Sequence, residues 1–461
     1  MRDYLALDRK YIWHPFTQMK EWMAEPQIVI ERGEGDYLFD TEGNRYIDGM
    51  SSLWCNVHGH HRKEIDDAIR AQLDKVAHST MLGLTHTTAI ELAEKLVAIA
   101  PKGLTRVFYS DSGSEAVEIA LKIAFQYWQH RGEMGKTHFV ALENSYHGDT
   151  IGSVSVSGIG LFHSLFKPLL FHTYFAPGPL KPWYDRSRSS EDCLNESLGR
   201  LEQIFSDSGN LIAALVLEPL VQGAGGMYMQ PKGFLKRVRE LCSKHDVLLI
   251  ADEVATGFGR TGKMFACEQE GVSPDIMTLA KGITGGYMPL AATLVREEIF
   301  EQFLGDHLDY RTFFHGHTYT GNPLACAAAL ASLEIFEREK VLEKLQPKIR
   351  LLGELVDGLR DHPHIGEVRQ CGFIAALELA KDRGAGEPCP PADRPAWHIC
   401  QEARKRGLLI RPLGDVIVIF PPLGIAEENL RRMVEIITES IEAVCRRVFA
   451  GAAQARPEQA K

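Results

Sequence analysis

Val247-Leu248-Leu249-Ile250-Ala251-Asp252-Glu253 and, a short way on, Asp275-Ile276-Met277-Thr278-Leu279-Ala280-Lys281 decide how this chain reads. A short apolar run bounded by turn residues marks a strand buried on both faces of a parallel sheet. Each run ends in a side chain with chemistry: a carboxylate, Asp252, and an amine, Lys281. Open α/β sheets bind their ligands just outside the carboxyl ends of the strands, so the two groups are expected to face one site. Gly257, Gly259 and Gly262 follow the first run, and Gly282, Gly285 and Gly286 follow Lys281. Glycines at that density suggest backbone folded tightly around something.

Working outward, strands and helices alternate. Arg106–Tyr109, His138–Leu142, Leu211–Leu217 and Leu290–Val295 read as further strands, and a helical stripe carries Val117, Ala120, Leu121, Ala124 and Trp128. This alternation predicts an α/β fold, with a mainly parallel sheet in an α/β/α sandwich over residues 61–330. Upstream, Tyr37–Asp40 and Arg45–Asp48 flank a turn-rich Thr41–Asn44, a hairpin signal. Ile65, Ile69, Leu73 and Val76 share one helical face, and Thr88 to Glu91 reads as the capping box of a helix stopped by Pro101. Leu180 to Glu191 reads as a surface loop. Beyond about residue 330, the pattern predicts one long helix from Glu334 to His362 and a strand at Phe373–Leu377. A helix at Ala396–Arg406, a strand at Val416–Phe420 and a final helix follow. That is a smaller α+β domain, 331–450, which the N-terminal segment 1–60 is expected to join; 451–461 is expected to be a disordered tail.

The 461 residues are too many for one compact core. A net charge of −10 argues against nucleic acid or anionic membrane as the main partner. No apolar run is long enough to span a bilayer, and charges scattered through the first ten residues argue against a secretory leader. Nine cysteines without a C-x-x-C pair predict reduced thiols and a cytoplasmic setting. His58-Gly59-His60-His61 lacks a carboxylate or cysteine at ligand spacing, so a structural role is expected and no metal site.

Four places carry candidate chemistry. Ser110-Asp111-Ser112-Gly113-Ser114-Glu115 joins a strand to a helix: Ser112 and Glu115 have capping-box spacing, Gly113 permits close approach, and Ser114 puts a hydroxyl beside unpaired helix N–H groups. That is a phosphate seat, or else an ordinary capped helix. Asp252 could hold a pyridine ring nitrogen and keep it protonated, and Lys281 could form an imine, the two protein groups that pyridoxal phosphate chemistry needs; alternatively they are a strand-end cap and a surface lysine. Tyr146, a few residues past a strand, could cover a planar ring or simply pack in the core. Arg411 could grip a substrate carboxylate or form a surface ion pair. No G-x-G-x-x-G follows the first strand, which argues against a nicotinamide dehydrogenase, and no basic arm or helix-turn-helix suggests a DNA-binding regulator.

Taken together and in order, these residues resemble the class III, fold type I, pyridoxal-phosphate-dependent aminotransferases. The likeness runs from Ile12-Trp13-His14-Pro15 to the Arg411 region, through DGMSSLW, DSGSEAVE, SYHGDT, EPLVQGAGGM, ADEVATGFGRTGK and GHTYTGNPLACAAA. Within the family the chain is most similar to the branch serving biotin formation. The resemblance implies pyridoxal 5'-phosphate as cofactor, held covalently by Lys281, paired through its ring nitrogen with Asp252, covered by Tyr146 and bound at its phosphate by Gly113 and Ser114. It implies a homodimer with shared sites, in which His317 and Thr318 reach across to the cofactor and Gly316 lines the substrate pocket with Phe16, Leu53, Trp54 and Tyr146. Arg411 matches the arginine that takes the keto-acid carboxylate. The implied reaction aminates 7-keto-8-aminopelargonate with S-adenosylmethionine as donor. Many members carry Tyr at Phe16 and Trp at Leu53, and a branch using lysine is similar at His14–Lys20, so lysine is the alternative donor. ω-Amino acid:pyruvate aminotransferases and glutamate-1-semialdehyde aminomutase are rivals on the same scaffold. Ala224 stands where ornithine and 4-aminobutyrate aminotransferases carry a glutamate, which argues against 2-oxoglutarate as acceptor.

Overall fold

The chain enters its fold through an antiparallel meander, β1 (Ile30–Glu34), β2 (Tyr37–Asp40) and β3 (Arg45–Asp48). The structure is a computed structural model that describes residues 2–454. The Asp40 carboxylate accepts the backbone N–H groups of Glu42 and Asn44 at 3.0 and 2.9 Å, which closes the β2–β3 turn.

The central sheet takes β4 (Leu104–Ser110), β5 (His138–Leu142), β6 (Thr173–Ala176) and β7 (Ile212–Leu217). After the small hairpin β8 (Val221–Gln222) and β9 (Tyr228–Met229), it adds β10 (Leu248–Asp252), β11 (Ile276–Leu279) and β12 (Ala291–Arg296). Its order is β4-β12-β11-β10-β7-β5-β6, and β12 alone runs against the others. β7, β10 and β11 are buried at every residue. Side chains alternate across such strands, so Leu215, Leu217, Leu249 and Ala251 pack toward the Ser190–Ser208 and Phe234–Lys244 helices. Ala214, Val216, Leu248 and Ile250 pack toward the Gly113–His130 helix. Two apolar faces and two helix layers give the α/β/α sandwich expected from the sequence.

A second sheet forms from β13 (Ile365–Cys371), β14 (Ile374–Asp382), β15 (Glu387–Pro388), β17 (Pro412–Leu413) and β18 (Val416–Ile419). β16 (Leu408–Leu409) leaves it and pairs in parallel with β3, Leu409 opposite Asp48. The N-terminal meander is thus stitched to the C-terminal part of the chain.

Several expectations change. The long helix from Glu334 is two, Pro323–Arg338 and Val341–Asp357, because Lys340 adopts φ +52° between them. The helix at Lys63–Leu73 stops short of Val76 and leaves Leu73 exposed. The next helix, Thr87–Ile99, is capped by His86, whose side chain accepts from Ala89 N, rather than by Thr88. The surface loop ends at Ser189, where a Ser189–Asp192 capping box starts a helix. β13 was not anticipated, since Glu367, Arg369 and Gln370 interrupt its apolar pattern; Arg369 is nevertheless buried, paired with Glu367 and Glu378. The expected tail from 451 is helical as far as Gln454, an extension of the Ala-rich end of the last helix, and 455–461 lie outside the described residues.

Candidate active site

β10 and β11 lie side by side with Asp252 opposite Thr278, so Asp252 and Lys281 both emerge at the carboxyl ends of the parallel strands. Both line a cavity of about 670 Å³. Asp252 is only 4% exposed. His147 Nδ1 donates to it at 2.7 Å, and Val254 N and Thr278 Oγ1 donate at 3.1 and 3.2 Å. A carboxylate held by three donors stays in one orientation. Lys281 sits at φ +47°, in the turn after β11, with its amine 4.7 Å from the centre of the Trp54 ring. Burial pushes its pKa below that of an ordinary lysine, against the opposing pull of Asp252, Glu218 and Cys55. The part of its side chain that remains accessible borders the cavity. Such an amine is a ready nucleophile and base.

Glu218 was not singled out from the sequence. It caps the buried strand β7 as Asp252 ends β10, and that parallel, an acid after an apolar run, was its available signal. Its carboxyl accepts from Tyr146 N at 2.9 Å and Gly223 N at 2.7 Å. Burial, with repulsion from Asp252 adding to it, raises its pKa to about 7.

At the other end of the cavity, Ser112 caps the Gly113–His130 helix by a full capping box with Glu115. Gly113 and Ser114 line the cavity with the helix's first N–H groups. A Cβ on Gly113 would lie 2.7 Å from Val254 Cγ1, so this glycine is required by the loop after Asp252 as well as by any ligand. Ser114 Oγ accepts from Thr150 N at 3.0 Å and pairs with Thr150 Oγ1 at 2.8 Å, which fixes its rotamer. Tyr146, half-buried between the two ends, donates its hydroxyl to Asp149 at 2.7 Å.

A narrower slot of about 140 Å³ opens beside Lys281. Phe16, Leu53, Trp54, Tyr146 and Arg411 all line it, and Met50, Phe162, Leu413 and Val418 complete an apolar wall. Among the described residues, Arg411 and Lys281 are its only cations. The Arg411 guanidinium lies 5.9 Å from the Phe16 ring, which meets Phe162 edge-on at 5.5 Å. Leu53 and Trp54 arrive on a single hydrogen-bonded turn that winds left-handed, with φ of +50, +48, +76 and +70° from Ser51 to Trp54. Such backbone costs on the order of 1–2 kcal/mol per residue, so its surroundings must hold it.

Gly316, His317 and Thr318 are not brought to either cavity of their own chain. They lie on the surface near the first turn of the Gly113–His130 helix, with His317 Nδ1 3.8 Å from Glu115. Of the histidine cluster, His58 pairs with Ser332, His60 with Asp48 and His61 with Asp66.

The cavity matches a planar phosphorylated pyridine in its parts: a fixed acid, a desolvated amine, an aromatic wall and a helix N-terminus. It also leaves the buried His147 Nε2, on the cavity lining, unpartnered. Residues 18–441 match the family model for aminotransferase class III. The chain belongs to the class III aminotransferases. Fold type I and pyridoxal-phosphate-dependent amino transfer follow from that membership. The chain is 54% identical over 445 residues to adenosylmethionine-8-amino-7-oxononanoate aminotransferase of Geobacter sulfurreducens, covering 96% of this chain and 98% of that one. The enzyme of that name from Aquifex aeolicus is 51% identical over 94% and 96% of the two chains. The crystal structure of that enzyme from Methanocaldococcus jannaschii superposes with a TM-score of 0.90 at 46% identity, over 95% and 98%. An omega transaminase from Pseudomonas jessenii in complex with PMP gives 0.93 at 32% identity, over 98% and 100%. Shape is therefore common to the class, while sequence identity favours the first group. Among the described residues, no helix of this aminotransferase is long and apolar enough to cross a membrane.

Proposed function

We propose that the protein aminates the ketone of 7-keto-8-aminopelargonate to give 7,8-diaminononanoate, with S-adenosylmethionine as amino donor. The slot carries this reading. A guanidinium stands at one place, a reactive amine at another, and the wall between them is apolar, which suits a carboxylate on an aliphatic chain whose ketone must reach Lys281. Ala224 adds no carboxylate to that wall. The name shared by relatives 46–54% identical supports the same substrate pair.

In this reading Gly113 and Ser114 would hold the phosphate of pyridoxal 5'-phosphate, Asp252 its ring nitrogen and Lys281 its carbonyl carbon, with Tyr146 along the ring. When bound, the cofactor supplies an electron sink for the carbon that loses its proton. Lys281, its amine biased toward the neutral form by burial, would take that proton and return it two atoms away, across the nitrogen. Glu218 and His147 hold Tyr146 and Asp252 in place. Arg411 orients the keto-acid carboxylate, and Phe16 with Phe162 keeps water from the slot.

The reading includes a homodimer. Gly316, His317 and Thr318 of a second copy would complete the pocket and the phosphate site. The exposed apolar side chains Leu82, Leu308, Tyr310 and Phe314 near that segment suit burial against another copy. A cytoplasmic setting is supported by nine cysteines that are all free thiols.

The test is a donor half-reaction. The cofactor-loaded protein is mixed separately with S-adenosylmethionine and with lysine while the lysine-bound cofactor absorbance is followed. Loss of that absorbance with S-adenosylmethionine supports the proposal. Loss with lysine alone replaces the donor, and no change with either contradicts the assignment.

A further inference from the structure

Leu53 and Trp54 reach the slot from a left-handed turn, and the polar side chains that hold this turn lie outside the slot. Asp48, wholly buried, closes β3. Its Oδ1 accepts from Ser52 N at 2.9 Å. Its Oδ2 accepts from Ser52 Oγ at 2.7 Å and pairs with His60 Nε2 at 2.9 Å. The neighbours fix the His60 tautomer. Asn56 Oδ1 accepts from Gly59 N at 2.8 Å, so the Asn56 amide faces His60 Nδ1 at 3.1 Å as a donor. Nδ1 is then the acceptor, and Nε2 carries the hydrogen given to Asp48.

The same carboxylate sits at a second junction. Asp48 lies opposite Leu409 in the parallel β3–β16 pair, two residues before Arg411, and Gly49 N donates to Leu409 O at 2.9 Å. Ser51 Oγ, in the turn itself, donates to Phe420 O at 2.6 Å, at the end of β18. The turn bearing Trp54 and the strand leading to Arg411 therefore share one anchor. Neither Asp48 nor His60 lines either cavity.

We infer that Asp48 and His60 are positioning residues that set the length of carboxylate chain the slot accepts, by fixing the left-handed Ser51–Trp54 turn against the strand that leads to Arg411. This rests on the proposed reading that Arg411 takes the substrate carboxylate. Without the clamp the turn would relax toward right-handed or extended backbone, and Leu53 and Trp54 would lose their fixed distance from Arg411. A displacement of about 1 Å is enough to cost up to about a hundredfold in a positioned reaction.

The test uses the cofactor-loaded enzyme and two readouts. One is calorimetric affinity for straight-chain monocarboxylates stepped one methylene at a time; the other is KM and kcat for the keto acid. His60→Ala is expected to raise KM about tenfold with kcat within about twofold, and to flatten the chain-length preference. His60→Gln, whose amide can still donate to Asp48, is expected to restore most of that preference. Should Asp48→Asn not fold, Ser52→Ala, which removes only the hydroxyl contact, provides the second variant and is expected to shift the profile in the same direction. A folded, cofactor-loaded His60→Ala with the wild-type KM and chain-length profile would overturn the inference, as would a lowered Tm with an unchanged profile. A wild-type enzyme that ignores the keto acid contradicts the proposed function instead, and the carboxylate profile still decides the clamp.

Discussion

Lys281 and Glu218 are both buried ionisable groups on one cavity wall, and burial moves them in opposite directions: the lysine down, the glutamate up to about 7. For Lys281 the shift makes a free amine available. Lys281→Ala is expected to abolish turnover, while dialysed protein still shows cofactor absorbance through the phosphate seat; turnover near the wild-type rate would contradict its role. For Glu218 the sign runs against stability at high pH. Its ordinary value is 4.5, so between that and about 7 the folded chain holds a proton the unfolded chain has lost. Stability contributed by this group therefore falls as pH rises through that window, by on the order of 3 kcal/mol in total. In cofactor-free protein, Glu218→Gln should flatten the decline of Tm between pH 5 and pH 8, values spanning roughly that window; parallel curves would show that Glu218 titrates elsewhere. Asp252, Lys281 and Arg411 could be picked out in the sequence because each follows or precedes a simple apolar run. Glu218 has the same placement, without a second motif beside it to mark it, and Asp48 and His60 act through side-chain contacts around a turn that no local pattern announces.

At the scale of elements, the buried strands β7, β10 and β11 were legible because a strand covered on both faces has no polar side to show. β6, an edge strand buried only at its two ends, shows no continuous apolar run, and β13 hides a buried arginine whose two carboxylate partners are visible only in the fold. The break between Arg338 and Val341 was illegible for a different reason: Lys340 has no sequence mark of a left-handed residue. Lys340→Gly should accordingly stabilise the protein by about 1 kcal/mol, since glycine adopts that backbone without the Cβ penalty. Denaturant midpoints would measure it, and a loss of stability would mean the break is held by the lysine itself. Gly113→Ala should do the reverse. Its Cβ would press on Val254 at 2.7 Å, costing about 1–3 kcal/mol and weakening cofactor retention together. Unchanged retention would separate the glycine from the phosphate seat.

For the whole molecule, the sandwich was legible from strand and helix alternation, but a site shared between two copies is not. Gly316, His317 and Thr318 carry no local sign of their destination, and in a single chain they stay outside both cavities; only family resemblance pointed to them. The Phe16–Arg411 slot likewise joins residues nearly four hundred positions apart, through the β3–β16 pairing. The central claim is that this slot delivers a keto acid to Lys281. It is tested most directly by supplying the cofactor-loaded enzyme with 7-keto-8-aminopelargonate and S-adenosylmethionine and assaying 7,8-diaminononanoate by mass spectrometry. The account predicts product that accumulates over many turnovers in the wild type, falls sharply in Arg411→Ala and vanishes in Lys281→Ala. Absence of the diamine from the wild type with either S-adenosylmethionine or lysine as donor would contradict it.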